Sequence, residues 1–168
     1  MDKELPTLER LSKENEKEKR KRLRGGAFLV FMLLLWLGDR VINGDRGEAH
    51  HQQLLTEFST ITLLPNASLV AKVDNFSPWN AHKATVGATY LSKAQFSDIQ
   101  GFYDHELQSH GWQFAQGRSL MQWGKDLGGR ELVYCKGELA ASVEYAGQEP
   151  QRGWNYALRL SWGLHRCT

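Results

Sequence analysis

The six histidines of this 168-residue chain are the side chains best suited to binding a metal. They are His50, His51, His82, His105, His110 and His165. Zinc sites use ligands at defined spacing, such as HExxH on one helix or paired Cys and His residues. The six follow no such spacing, and the adjacent His50 and His51 cannot both face one ion from a regular helix. The sequence therefore predicts no metal site and no cofactor.

A group of acidic residues on one predicted helix is the other candidate for chemistry, since closely spaced carboxylates can act as acid and base. The group consists of Asp98, Asp104 and Glu106, with His105 among them. The chain has no GxSxG, Walker A or Rossmann glycine pattern that would supply a nucleophile or a phosphate-binding loop. We interpret the group as the solvated face of a helix and expect that the protein is not an enzyme.

The chain contains only two cysteines, Cys135 and Cys167. Cys135 ends a predicted strand and Cys167 follows the last one, so a bridge would fasten the C-terminus to the sheet. Disulfides form in oxidising compartments, and both residues follow the apolar run described below, which puts them on one side of a membrane. We predict a disulfide; the alternative is a buried Cys135 and an unrelated thiol in the tail.

The apolar run from Gly25 to Gly38 divides the chain into a charged tail and a mixed-polarity domain. Val41 and Ile42 extend the apolar pattern, and a helix over residues 25–42 would reach about 27 Å at 1.5 Å per residue. No small-residue cleavage pattern follows it. An uncleaved signal anchor is therefore our preferred interpretation, over a cleaved signal peptide or a core helix.

The flanks of the apolar run set the expected orientation. Its membrane anchor flank consists of Arg20, Lys21, Arg22 and Arg24 on one side and Trp36 near the other interface. Residues 1–24 carry nine Lys and Arg against six acidic residues, which places this tail in the cytoplasm and near anionic lipid. We expect a single-pass protein of the inner (plasma) membrane, with an extracytoplasmic C-terminal domain.

The charge of the remaining chain excludes one class of partner. Residues 45–168 contain eleven Lys and Arg and twelve Asp and Glu, so the overall net charge of +2 comes from the tail. Phosphate binding needs a concentrated basic surface, which this part lacks. We expect no nucleic-acid partner. At about 125 residues, this part is long enough to form one domain with its own core.

The pattern of apolar residues predicts an α+β fold for the domain. Residues 43–63 are predicted as a linker or short helix, and residues 64–168 as the domain itself. Ser92 begins a predicted capping box, and apolar residues then repeat at helical spacing up to Gly111. The helical apolar residues are Phe96, Ile99, Tyr103 and Leu107. We expect this one principal amphipathic helix to pack on an antiparallel sheet of four to six strands.

The remaining segments are predicted as strands. Residues 67–73 and 83–91 alternate as strands do, with Gly87 indicating a bulge or close backbone contact. Residues 112–116 and 119–123 are predicted as two strands, and residues 124–129 as a turn. Two more strands, 130–136 and 139–146, precede the last one, in which Tyr156, Leu158 and Leu160 share a face with Trp154 and Trp162.

The run FYDHELQSHGW over residues 102–112 is followed by WGKD, ELVYCKG and ASVEYAG segments. With these, the chain resembles small uncharacterised bacterial membrane-anchored envelope proteins, in which a helix of the pattern FYxxELxxxGW leads into a sheet. The resemblance covers residues 64–146 and implies a fold and an envelope setting. It implies no catalytic residue.

These observations favour a protein-interaction or assembly subunit of the envelope. The anchor, the small domain and the lack of a recognisable reaction site fit that role, with an envelope protein as the partner. The alternative is a small-ligand or lipid-binding domain with a pocket between helix and sheet.

Overall fold

The computed structural model describes residues 19, 28, 30–38, 45–77, 82–147, 153–164 and 167. It contains two compact units, residues 1–42 and residues 43–168. In the first unit, residues 30–38 are helical and Trp36 is exposed. Among the described residues, no helix is both long and apolar enough to cross a membrane. Of the predicted span, residues 25–42, only residues 28 and 30–38 belong to the described part of the chain. The four basic flanking residues lie outside it.

The second unit is an α+β domain, which confirms the predicted class. Its described residues form helix α1 (residues 45–60), helix α2 (Phe96–Ser109) and six strands. The strands are β1 (Ser68–Phe76), β2 (Ala84–Leu91), β3 (Gln113–Gln122), β4 (Lys125–Lys136), β5 (Leu139–Tyr145) and β6 (Tyr156–Trp162). They make one sheet in the order β1-β2-β6-β5-β4-β3, and every neighbouring pair is antiparallel.

The C-terminal strand β6 lies inside the sheet rather than at its edge. It pairs with β2 through seven residue pairs, from Ala84–Trp162 to Tyr90–Tyr156, and with β5 on its other side. Strands β3, β4 and β5 follow one another as hairpins, while α2 carries the chain from β2 across to β3. The edges of the sheet are therefore β1 and β3.

The core lies between the helices and one face of the sheet. Ile99, Tyr103 and Leu107 of α2 are fully buried, as the helical spacing predicted, and Phe96 is half-buried against the Tyr145 ring. The sheet contributes the residues of β6 predicted to face the core, from Tyr156 to Trp162. Every second residue of a strand faces the same side, so this alternation supplies one continuous apolar surface.

Helix α2 begins later than predicted. Its N-cap is Gln95, and the Asp98 carboxylate accepts the Gln95 N–H at 3.1 Å in a capping box, so the box spans residues 95–98 instead of 92–95. Ser92 is held outside the helix because the Asn155 side chain accepts its N–H at 2.8 Å and donates to its C=O at 2.7 Å. Its hydroxyl is used in a local turn with the Ala94 N–H.

Helix α2 ends at the predicted glycine. Gly111 has a φ of +80°, its N–H donates to the Gln108 C=O, and the Trp112 N–H donates to the Leu107 C=O. This pair of bonds is a Schellman motif, which satisfies carbonyls left free at a helix end. The motif also turns the chain so that Trp112 is buried at the start of β3.

Helix α1 is longer and more involved in the core than its slight apolar content suggested. It occupies residues 45–60 of the segment predicted as a linker or short helix, and Leu54 is fully buried. Polar contacts also attach α1 to the sheet. The Arg46 guanidinium donates to Glu138 at 3.0 Å, and the Lys136 ammonium donates to Glu57 at 2.7 Å. A helix attached this way shows little apolar periodicity in its sequence.

Two strand assignments were wrong. Residues 112–116 and 119–123 belong to one strand, β3, because Gly117 packs beside Leu132 inside the strand instead of turning it. The turn is residues 123–124 only, and the glycines at 128 and 129 lie in β4. The strand predicted over residues 67–73 is confirmed as β1; it is an edge strand, and Leu69 is 52% exposed.

Three buried tyrosines contact one another within the core through their rings and hydroxyl groups. Tyr90 stacks on Tyr156 with 5.0 Å between ring centroids, and the Tyr103 hydroxyl donates to the Tyr156 hydroxyl at 3.4 Å. Burial, with a smaller contribution from Tyr103, raises the pKa of Tyr90 to about 12. Burial likewise raises the pKa of Tyr103 and Tyr156. All three hydroxyls are therefore uncharged at neutral pH.

Gly87 provides the close contact that its place in a strand predicted. A Cβ added there would lie 2.4 Å from the Leu158 C=O oxygen and 2.8 Å from the Arg159 Cα, both backbone atoms of the neighbouring β6. Gly101 on α2 is the opposite case, since a Cβ there would meet nothing within 4 Å.

We expect opposite effects from adding one methyl group at these two glycines. Gly87→Ala should lower the free energy of unfolding by about 3 kcal/mol, because the strand pairing must shift. Gly101→Ala should raise it by about 0.5–1 kcal/mol, because alanine favours the helix. Urea denaturation of the full chain measures both, and equal effects would contradict the pairing of β2 with β6.

Candidate interaction surface

The two adjacent histidines attach α1 to the sheet. The His50 ring stacks on Trp162 with centroids 4.3 Å apart, and the His51 ring stacks on Phe76 at 4.6 Å. His51 Nε2 lies 2.8 Å from Asp74 Oδ1. The two rings thus meet different strands, and among the described residues no group of three or more His, Cys, Asp or Glu is placed to hold a metal ion.

The acidic group on α2 is dispersed into separate structural roles. Asp98 closes the capping box, and Asp104 accepts a hydrogen bond from the Tyr134 hydroxyl. His105 is exposed, while Glu106 accepts the Thr62 N–H at 2.6 Å and lies 3.3 Å from His110. Partial burial tends to raise the pKa of Glu106, but the Thr62 N–H and His110 outweigh burial and lower it. Because each of the three acidic side chains has a separate partner, the structure does not bring them together as an acid–base pair.

The second face of the sheet carries two ion pairs in neighbouring strands. The Arg118 guanidinium lies 2.5 Å from Glu131, and the Arg159 guanidinium lies 2.5 Å from Glu144. Glu131 and Glu144 are directly opposite each other on β4 and β5, and Glu131 is fully buried. Like charges opposite one another destabilise a sheet, so the two arginines neutralise this row.

The two cysteines lie at disulfide distance beside a cavity. Their Cα atoms are 5.6 Å apart, and Cys167 thereby reaches β4 from beyond the end of β6. The cavity has a volume of about 410 Å³ and lies where β3 begins. It is lined by Gly111, Gln113, Ala115, Cys135, Lys136, Gly137 and Cys167. It is distinct from the packed interface between α2 and the sheet.

Edge strand β3 is exposed at residues 113–119 and 121, and it is nearly uncharged. Phe114 is 50% exposed and Met121 58% exposed, and the only charged residue, Arg118, is bound to Glu131. The register with β4 shifts on passing Ala115, between Phe114 and Gln116. The opposite edge, β1, carries the exposed Lys72, the kind of residue that discourages strand pairing.

The β3–β4 hairpin ends in a fully exposed tryptophan. Gln122 pairs with Lys125, so Trp123 and Gly124 form the whole two-residue turn. Both have positive φ, 49° and 76°, which defines a type I′ turn. Asparagine is the favoured first residue of such a turn, and a bulky residue at positive φ is a genuine outlier. Trp123 is also 99% exposed, so it gains nothing from burial within the domain.

The sequence pattern predicts Trp123 at the end of a strand, whereas the structure places it in the two-residue turn. The signal was the dipeptide Trp123-Gly124 between two runs of strand-forming residues, in the position where Asn-Gly normally stands. We call β3 and the turn residues Trp123 and Gly124 the β3 surface. It combines an edge strand, a cavity at one end and an exposed aromatic residue at the other.

We expect Trp123→Asn to stabilise the domain. Asparagine tolerates the left-handed conformation, so the free energy of unfolding should rise by about 1 kcal/mol. Urea denaturation measures the change. Gly124→Ala is the matched control. An added Cβ would meet no other atom within 4 Å, so the positive φ of Gly124 is the reason to expect that alanine destabilises the domain. A loss of stability in Trp123→Asn would show that the indole supports the fold.

No protein-family model, curated protein or solved structure matches the chain. What the domain does is therefore inferred from the placement of its own residues.

Proposed function

We propose that this chain is a single-pass membrane-anchored envelope protein whose extracytoplasmic domain acts as a protein-interaction or assembly subunit. The apolar run of residues 25–42 serves as the anchor, and the basic residues before it hold the N-terminus in the cytoplasm near anionic lipid. The domain uses its acidic and histidine side chains to hold its own elements together. It has no catalytic role and no nucleic-acid partner in this proposal.

The observation that carries the proposal is Trp123. An indole in a strained turn and 99% exposed to solvent costs the isolated domain stability. Tryptophan is among the residues that contribute most binding energy in protein interfaces. Backbone strain concentrates at functional positions, so the tip of the β3–β4 hairpin is best explained as part of a contact surface.

The rest of the β3 surface supports the same role. An edge strand offers unpaired backbone N–H and C=O groups to an incoming strand, and β3 lacks the outward lysines and glutamates that usually prevent such pairing. Exposed Phe114 and Met121 add apolar area along it. A protein partner is thus provided with both backbone and side-chain contacts.

The second candidate function, a small-ligand or lipid-binding domain, is favoured by one observation, the cavity of about 410 Å³ beside the cysteine pair. The expected pocket between helix and sheet is filled, because Ile99, Tyr103 and Leu107 are fully buried there. The cavity adjoins the β3 surface, so it also fits a role in protein contact.

Recovery of partners from membranes in mild detergent tests the proposed function. A stoichiometric protein partner, either an envelope protein or a differently tagged second copy of the chain, should accompany the full chain and be lost from Trp123→Asn, which should remain folded. Leu69→Asn, at an exposed apolar residue on the opposite edge, is the matched control and should keep the partner. A bound small molecule without any protein would favour the second candidate. Equal recovery by both variants would remove Trp123 from the contact.

The extracytoplasmic location predicts a covalent bond between Cys135 and Cys167. The pair has a Cα distance within the range that a disulfide allows, and an oxidising compartment would close it. Thiol labelling of the denatured, unreduced full chain should find no free cysteine, and reduction should expose two. Two thiols labelled before reduction would contradict both the bridge and the location.

A further inference from the structure

We propose that the partner of the β3 surface is a second copy of this chain, paired antiparallel through β3 about a two-fold axis. The inference rests on the proposed function, because it names the occupant of the same surface. A two-fold interface must be self-complementary, so that each feature on one copy meets its counterpart on the other. The β3 surface meets this condition in its backbone, its apolar side chains and its ends.

The regular part of β3 defines the pairing. Between the two register shifts lie residues 116–120, with Arg118 at their centre. A two-fold axis at Arg118 places Gly117 opposite Ser119 of the second copy and Gln116 opposite Leu120. Directly opposed residues of antiparallel strands point to the same face, and alternation along β3 satisfies this for both pairs. The two sheets would then continue as one.

The bulge at Ala115 makes the apolar residues match. Phe114 contacts the Tyr134 ring at 5.6 Å and therefore lies on the helix-bearing face, and alternation places Met121 on that face too. Because the bulge takes up one residue, Phe114 of each copy meets Met121 of the other. Methionine sulfur and aromatic rings attract each other at about 5 Å. The two-fold axis repeats this contact, so it covers two exposed side chains in each copy.

The two ends of β3 are complementary as well. In the same register, the hairpin tip with Trp123 reaches the residues around Gly111 and Gln113 of the second copy, where the cavity lies. A buried tryptophan contributes about 150–250 Å². Two reciprocal insertions would bury about 300–500 Å², a substantial part of the about 1,200 Å² that a stable interface needs.

Charge permits this pairing. The axis brings the two Arg118 side chains together, but each guanidinium lies 2.5 Å from its own buried Glu131, which offsets the repulsion. The opposite edge is less suited, because β1 carries Lys72 and Asp74. The sheet therefore has one edge that can accept a copy of itself.

Sedimentation equilibrium of the purified full chain in density-matched detergent tests the inference, with a dimer expected. Met121→Lys should raise the dimer dissociation constant by about tenfold or more, because it places a charge against Phe114. Leu69→Lys, at a similarly exposed residue on β1, should leave the dissociation constant unchanged. A monomer at all concentrations, or equal effects of the two variants, overturns the inference.

Cross-linking provides a second measurement that does not depend on weakening the interface. Opposed residues of antiparallel strands have Cα atoms about 4.5–5.5 Å apart, which a disulfide can join. The double variant Gln116→Cys/Leu120→Cys should form a covalent dimer on oxidation, whereas each single variant should not. Cross-linking by a single variant, or none by the double, overturns the register. A monomer that still captures an envelope protein through Trp123 overturns the dimer and leaves the proposed function standing.

Discussion

The hydrogen-bonded position of β6 between β2 and β5 is the constraint on which the domain depends. Without β6 the sheet would separate into the pair β1-β2 and the three hairpin-connected strands β5, β4 and β3. Two local features secure that position. Gly87 lets the backbone of β6 approach β2 closely, and Asn155, directly before β6, is bonded to Ser92 at the end of β2. Strand β6 therefore joins the two parts of the sheet and completes the face that packs in the core.

Polar side chains in this domain mostly connect elements that are distant in sequence. Arg46 and His50 of α1 approach Glu138 in the β4–β5 turn, Lys136 binds Glu57, and Asp104 of α2 receives the Tyr134 hydroxyl. Two of these contacts use a side chain that the sequence offered as a candidate for chemistry, His50 and Asp104. Because a buried or half-buried polar group costs free energy unless it is bonded, these pairings help to fix the two helices on the sheet.

Three features that these contacts do not explain lie together at one edge of the sheet. Trp123 holds a conformation that its side chain disfavours. Strand β3 carries one charged residue, Arg118, which is paired with Glu131, and the cavity beside Cys135 adjoins the start of the same strand. None of the three features stabilises the isolated domain. A contact with another protein surface would relieve each, since it covers the indole, pairs the edge and fills the cavity.

The sequence by itself determined the α+β class, the apolar face of α2, its glycine stop and the core face of β6, because each depends on periodicity or on one residue's conformational range. At Gly87 it left a bulge and a close contact open, and the structure shows the contact. It did not determine where α2 begins, since Ser92 is the favoured cap residue but Asn155, far along the chain, holds Ser92 outside the helix. It also missed the burial of Leu54 and the long strand β3, because these depend on partners that only the folded sheet supplies. The β3 surface is likewise a tertiary property: strand order places β3 at an edge, and the turn geometry exposes Trp123, whereas local sequence patterns carry no information on which strand remains unpaired.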